Sequence, residues 1–245
     1  MSLALYGCLL GTFLTINKMI IHENKNTVVV ATFGSNNRKT GNMVQIWILE
    51  KDKSPVESVK TGSDAETVCK GCPFASGNGC YVNVGQAPNS VWKAYKRGSY
   101  SKANWDAFNG KAVRFGAYGN PSLIPLSIIE KITKRAKKWT GYFHDWKEMA
   151  VWKRFAYGSY FMASTETEKS RQLAIENNLR FFHVSPDKPK DAIECLADTL
   201  GISCADCGLC DGNNKENARS IWINPHGSKK RKAAEMAMGA NLLTN

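Results

Sequence analysis

The 245-residue sequence predicts an α/β fold, read as a small or incomplete (β/α) barrel with a C-terminal zinc-binding subdomain. Three observations lead there. From residue 111 onward, short β-branched or aromatic runs alternate with helical stretches, the rhythm of parallel βαβ units. Several such units in a chain of this length suggest a barrel. Six of the eight cysteines fall into two tight groups, Cys69, Cys72, Cys80 and Cys204, Cys207, Cys210, whose C-x-x-C steps suit convergence on one ion better than mutual bridging.

The composition narrows the class. A content of 43% hydrophobic and 22% charged residues excludes disordered and collagen-like chains. The formal charge of +12 favours a polyanionic partner, nucleic acid before an anionic membrane surface. Metal-type cysteine spacing points to a reducing compartment, hence a cytoplasmic protein.

Residues 3–16 are almost wholly apolar, as in a signal sequence. No Lys or Arg precedes them, no small-x-small site follows, and the run is too short to span a bilayer. Residues 1–25 are therefore expected to be an extension. Residues 26–200 are expected as the barrel-like domain with the first cysteine group, and 201–245 as the metal-binding segment and a basic helix.

The elements follow in order. NTVVVATFG (26–34) and MVQIWILE (43–50) read as strands, with turn residues between them that allow a hairpin. Residues 51–66 read as loop. Residues 112–121 (AVRFGAYGNP) are a strand ending in turn residues. Residues 123–139 form an amphipathic helix, apolar early and basic late, as the helix dipole favours. TGYFHDW (140–146) and 155–165 are strands, and 166–178 is a helix capped by Ser164 or Thr165. Strand 179–186, helix 191–201, strand 220–227 and a basic-headed helix from 228 complete the chain.

Chemistry concentrates in the cysteines. Cys204, Cys207, Cys210 and, after a fifteen-residue gap, His226 match a closed tetrahedral zinc site of three thiolates and an imidazole. Cys195 reads as an ordinary buried side chain. Cys69, Cys72 and Cys80 lack a nearby fourth ligand, so they form a structural knuckle or hold a metal or iron–sulfur cluster with an open position. Their spacing differs from the C-x3-C-x2-C run of the usual radical S-adenosylmethionine enzymes.

Trp92, Lys93, Tyr95, Lys96 and Arg97 interleave cations with aromatics, a mixture that grips phosphates and stacks bases, or equally a helix with aromatics in the core and cations in water. Barrels place working residues at strand C-termini. Tyr118, Asn120, His144, Asp145 and Asp187 occupy such positions. Asp145 could serve as nucleophile or general base, or simply cap a helix.

The stretches CKGCPFASGNGCYVN, RFGAYGNP and CADCGLC with NPHG together resemble the gene-product-88-like proteins of phages, over most of residues 60–227. Those proteins are similar in turn to tRNA-guanine transglycosylases and their DNA-acting cousins. The resemblance implies a glycosyltransferase that exchanges guanine in DNA for a 7-deazaguanine base. Asp145 would be the nucleophile with Asp187 the runner-up, Tyr118, Asn120 and His144 would contact the base, and zinc would be structural. Two other readings come from the residues. One is an iron–sulfur enzyme of radical type on a partial barrel, with Cys69, Cys72 and Cys80 holding the cluster. The other is a non-enzymatic zinc-containing nucleic-acid-binding protein.

Overall fold

The computed structural model describes residues 18–214 and 219–242. The apolar run 3–16 and Cys8 lie outside them. The protein is a mixed α/β molecule built on two sheets rich in parallel pairs.

The first sheet begins with β1 (Lys18–Glu23), β2 (Thr27–Thr32) and β3 (Val44–Glu50), paired antiparallel in series. β2 and β3 are runs of β-branched and large apolar residues, buried on both faces, which suits them to the middle of a sheet. β1 lies in the stretch expected to precede the folded domain. The two-residue β4 (Ser101–Lys102) lies on its free edge. On the other side β3 pairs in parallel with β5 (Ala112–Tyr118), and β5 with β6 (Lys138–Thr140).

The second sheet has the order β10–β11–β9–β8–β7, parallel throughout. Its strands are β7 (Tyr142–Phe143), β8 (Met162–Thr165), β9 (Phe181–Val184), β10 (Ala192–Glu194) and β11 (Ser220–Ile223). Only Gly141 separates β6 from β7. Its N–H is donated to the Cys210 carbonyl at 3.0 Å, while its own carbonyl accepts from the Met162 N–H at 3.0 Å. A Cβ there would stand 2.5 Å from a ring atom of the fully buried Phe161, so the junction requires glycine. The two sheets thus meet at one residue, where a ladder bond is replaced by a bond to the second cysteine loop.

The helices are α1 (Pro55–Thr61), α2 (Ser63–Glu66), α3 (Ala87–Lys96), α4 (Leu126–Thr133), α5 (Val151–Gly158), α6 (Glu168–Glu176), α7 (Leu196–Thr199), α8 (Cys204–Cys207) and α9 (Lys230–Leu242). α1 and α2 fill the segment expected as loop, because Ser54 accepts from the Glu57 N–H and Pro55 fits the first turn. The helix expected over 123–139 stops at Thr133, and its basic end turns to become β6. The strand expected over 155–165 is half helix, since Tyr157 is buried as part of α5 while only Met162–Thr165 pair in the sheet. The helix expected at 191–201 gives its first residues to β10, which β11 recruits as a sheet edge. α6 is capped by Thr167, in a reciprocal box with Ser170, rather than by Ser164 or Thr165.

One large apolar cluster runs from Val28, Ile46 and Phe115 to Phe143, Phe181 and Trp222, spanning both sheets. A smaller one, with Met162, Phe182, Cys210, Ile221 and Ile223, lies on the opposite face of the second sheet. Described residues of 201–245 pack into the rest of the molecule. β11 is inserted between β10 and β9, and α9 packs on the first cysteine loop, where a Cβ on Gly79 would lie 3.1 Å from Ala233 Cα.

Candidate functional site

Period-two alternation along the strands defines the site. Arg114, Gly116 and Tyr118 of β5, then Thr140, Tyr142 and His144 through β6 and β7, all line one cavity of about 320 Å³. Ser164 of β8, Phe182 and Val184 of β9, and Ile223 of β11 extend the same wall, while Val113, Phe115, Phe143, Phe181 and Trp222 turn into the large core. Cys69, Cys72 and Cys80 close the cavity on one side, and Cys195 and Cys204 also border it. All seven described cysteines are free thiols.

The first group sits on a loop that leaves β3 through α1 and α2. The loop is wound on itself: Cys72 N–H donates to the Cys69 carbonyl at 3.0 Å, Ala75 N–H to Cys72 at 3.1 Å, and Cys80 N–H to Phe74 at 3.2 Å. Buried Asp64 pins its far end by accepting from Ser76 N–H at 2.8 Å and Ser76 Oγ at 2.7 Å. Gly71 takes φ +75°, and a Cβ on it would fall 2.6 Å from Asp145 Cα.

Burial first, and then the neighbouring sulfurs, push the Cys69 thiol well above its usual range; burial and Cys80 push Cys72 up to about 12. Cys80 is raised by burial and partly relieved by the Lys229 ammonium. Cys69 and Cys72 therefore resist ionisation because water is excluded and neighbouring sulfurs lie close, and Cys80 because water is excluded, a situation that a bound cation reverses. The Tyr118 hydroxyl has no oxygen or nitrogen partner and lies by Cys69, favouring its thiolate. His144 presents an unpartnered buried Nδ1, and burial lowers its pKa to about 4, so it is neutral at pH 7.

Across the cavity, Arg114 donates to the Tyr81 hydroxyl at 2.6 Å, and the Tyr81 ring stacks on His226 with centroids 5.1 Å apart. Tyr142 packs on Phe182 and lies by the Cys210 sulfur. The groups acting most on His226 are Lys39, the Asn224 carbonyl, Asp198 and Arg114, after burial, which lowers its pKa. Cys195, in contrast, raises the pKa of both Cys204 and Cys210, in each case after burial. As placed, no three His, Cys, Asp or Glu side chains among the described residues grip a single ion.

Of the residues expected to bind a base, Tyr118, Asn120 and His144 line the cavity. Asp145 and Asp187 are not among its lining residues. Asp145 Oδ1 accepts from Asn120 Nδ2 at 2.9 Å and Ser122 Oγ at 2.7 Å, and Asp187 is exposed. In the basic aromatic stretch, Lys93, Lys96 and Arg97 are exposed, but Trp92 and Tyr95 pack on the core. Trp92 Nε1 donates to the Glu50 carbonyl at 2.9 Å.

Sequence reasoning missed Glu166, which follows β8, is 8% exposed and lies near Cys72. Burial raises its carboxyl pKa against the opposing Lys147 ammonium 3.3 Å away. Its position after a strand end was the available signal.

No family model, curated protein or solved structure matches the chain. No helix of the described residues is long and apolar enough to cross a membrane.

Proposed function

We propose that this protein is an iron–sulfur enzyme of radical type. In this reading the row of parallel strands is the wall of an incomplete (β/α) barrel, and Cys69, Cys72 and Cys80 hold a cluster at its mouth. One observation supports it: three neighbouring half-buried thiols, on the loop system that follows the first strand of the parallel row, border the same cavity as the strand ends. Three protein ligands leave one metal position free to meet a substrate in that cavity.

The protein's own residues suit this role. The unpartnered Tyr118 hydroxyl lies near Cys69 and is available to donate to its sulfur, and such outer hydrogen bonds to a ligating sulfur tune its electron density. Lys229 offsets negative charge at Cys80. Arg114 and Tyr81 offer donors on the far wall, where a carboxylate or phosphate would bind. When bound, such a cluster would supply one-electron reduction of S-adenosylmethionine, with the electron coming from an external donor.

Glycosyl exchange on DNA, the reaction implied by the resemblance, requires a carboxylate facing the substrate. Both strand-end aspartates lie off the cavity wall, and Asp145 is engaged in holding the cysteine loop. The placement of these carboxylates therefore weighs against glycosyl exchange in this cavity.

Anaerobic purification or reconstitution should give a brown protein with about four irons in the first group, lost in the Cys69→Ala/Cys72→Ala/Cys80→Ala variant. S-adenosylmethionine should alter the electron paramagnetic resonance spectrum of the reduced protein and yield 5′-deoxyadenosine. A first group that takes up no iron, together with base exchange on DNA that Asp145→Asn abolishes, would replace this reading with the transglycosylase.

A further inference from the structure

The second cysteine group gains a member that spacing does not reveal. We propose that Cys195 is the fourth ligand of a four-thiolate metal centre completed by Cys204, Cys207 and Cys210, and that His226 stands outside it. This centre does not depend on the chemistry assigned to the first group.

Three elements bring the four cysteines into one neighbourhood. Cys195 follows β10 directly, where its N–H donates to the Trp222 carbonyl of β11 at 2.9 Å, and it caps the start of α7. α7 packs against α8, whose first and last residues are Cys204 and Cys207. α8 is itself docked by the Cys204 N–H on the Lys39 carbonyl at 2.9 Å. Cys210 is fixed from the other side, because its carbonyl accepts the Gly141 N–H at the break between the sheets. Cys195 and Cys210 then pack into the same small apolar cluster, and Cys195 and Cys204 border the same cavity.

The charges agree with this placement. Cys195 and Cys207 both influence Cys204, and Cys195, Cys204 and Cys207 all influence Cys210. No cysteine figures among the main influences on His226, whose ring is stacked on Tyr81 and whose Nδ1 lies 3.3 Å from the Asn224 carbonyl. Four thiolates around a divalent ion or a cluster leave a net negative charge. Arg114 acts on Cys204 to offset it, and the Lys138 stem covers Gly208 with its ammonium on the Asp206 carbonyl. The sulfurs must still close in by side-chain rotation onto one ion, or surround a larger cluster. The ligand set is the same in both cases.

The test uses the full-length protein. Metal content is measured for wild type, Cys195→Ser and His226→Ala, each also with Cys69, Cys72 and Cys80 replaced by alanine, so that the remaining metal reports on this centre alone. About one zinc or four irons should remain in that background. Cys195→Ser should lower retention against a competing chelator by more than about tenfold, while His226→Ala leaves it unchanged. Because the variants could misfold, wild type is also alkylated with iodoacetamide before and after chelation and mapped by mass spectrometry. Cys195 should become reactive together with Cys204, Cys207 and Cys210 when metal is removed. The proposal is overturned if that background holds no metal, or if His226→Ala loses it while Cys195→Ser does not. It is equally overturned if Cys195 reacts at the same rate with and without metal while the other three are protected.

Discussion

Asn120 donates from Nδ2 to Asp145 Oδ1 at 2.9 Å, and the same nitrogen reaches the Lys70 carbonyl at 3.0 Å. A fully buried amide therefore joins the turn after β5, the segment after β7 and the loop between Cys69 and Cys72. Its backbone N–H adds a third tie, to Val68 O at 2.6 Å.

Asn120→Ala should destabilise the protein by about 2 kcal/mol, because it leaves a gap at a fully buried site and removes the ties to Asp145 and to the Lys70 carbonyl. Asp145→Asn should cost much less, since an amide oxygen can still accept from Asn120 and Ser122. Chemical denaturation of the two variants checks the order. Equal losses would mean that the charge of Asp145, rather than its acceptor geometry, holds the loop.

Gly71→Ala should cost more than about 2 kcal/mol. Its φ of +75° disfavours any side chain, and the added carbon would meet the backbone of Asp145. The variant should also lower iron uptake by the first group, which metal analysis at matched protein concentration would show. Gly98→Ala is the control, sharing a φ of +70° but with nothing within 4 Å.

His183 is buried, and its Nδ1 lies 2.9 Å from the Thr165 hydroxyl. Burial, reinforced by Arg171, lowers its pKa from 6.5 to about 4. A group depressed in the folded state adds stability that is fully present above its unfolded pKa and is lost as pH falls through the folded one. Up to about 3 kcal/mol should therefore disappear between pH 6.5 and pH 4. The difference in stability between wild type and His183→Gln should shrink over that window. A constant difference would show that the histidine is not held neutral.

Trp92→Ala should lower stability by about 3 kcal/mol, through lost packing and an orphaned Glu50 carbonyl. If the protein binds DNA, replacing Lys93, Lys96 and Arg97 with alanine should flatten the salt dependence of binding without touching stability. Thermal unfolding and binding at two salt concentrations separate these roles. Retained stability in Trp92→Ala would return that ring to the list of candidate base platforms.

The local sequence determined much of this protein. The β-branched runs of β2 and β3 could hardly avoid a buried sheet, and the alternation beyond residue 111 announced parallel pairing. The C-x-x-C steps marked Cys69, Cys72, Cys204 and Cys207 as clustered groups because spacing alone brings such residues close. Boundaries were less legible where sheet pairing overrode local preference, as in β10, taken from a helical stretch by its neighbour β11. Only the tertiary structure decided what the site contains. Parallel pairing places strand ends far apart in sequence at one mouth, so the neighbours of Cys195, the role of Asp145 beside Asn120 and the burial of Glu166 depend on register between strands. No local pattern encodes that register, because it is set by long-range packing across the sheet.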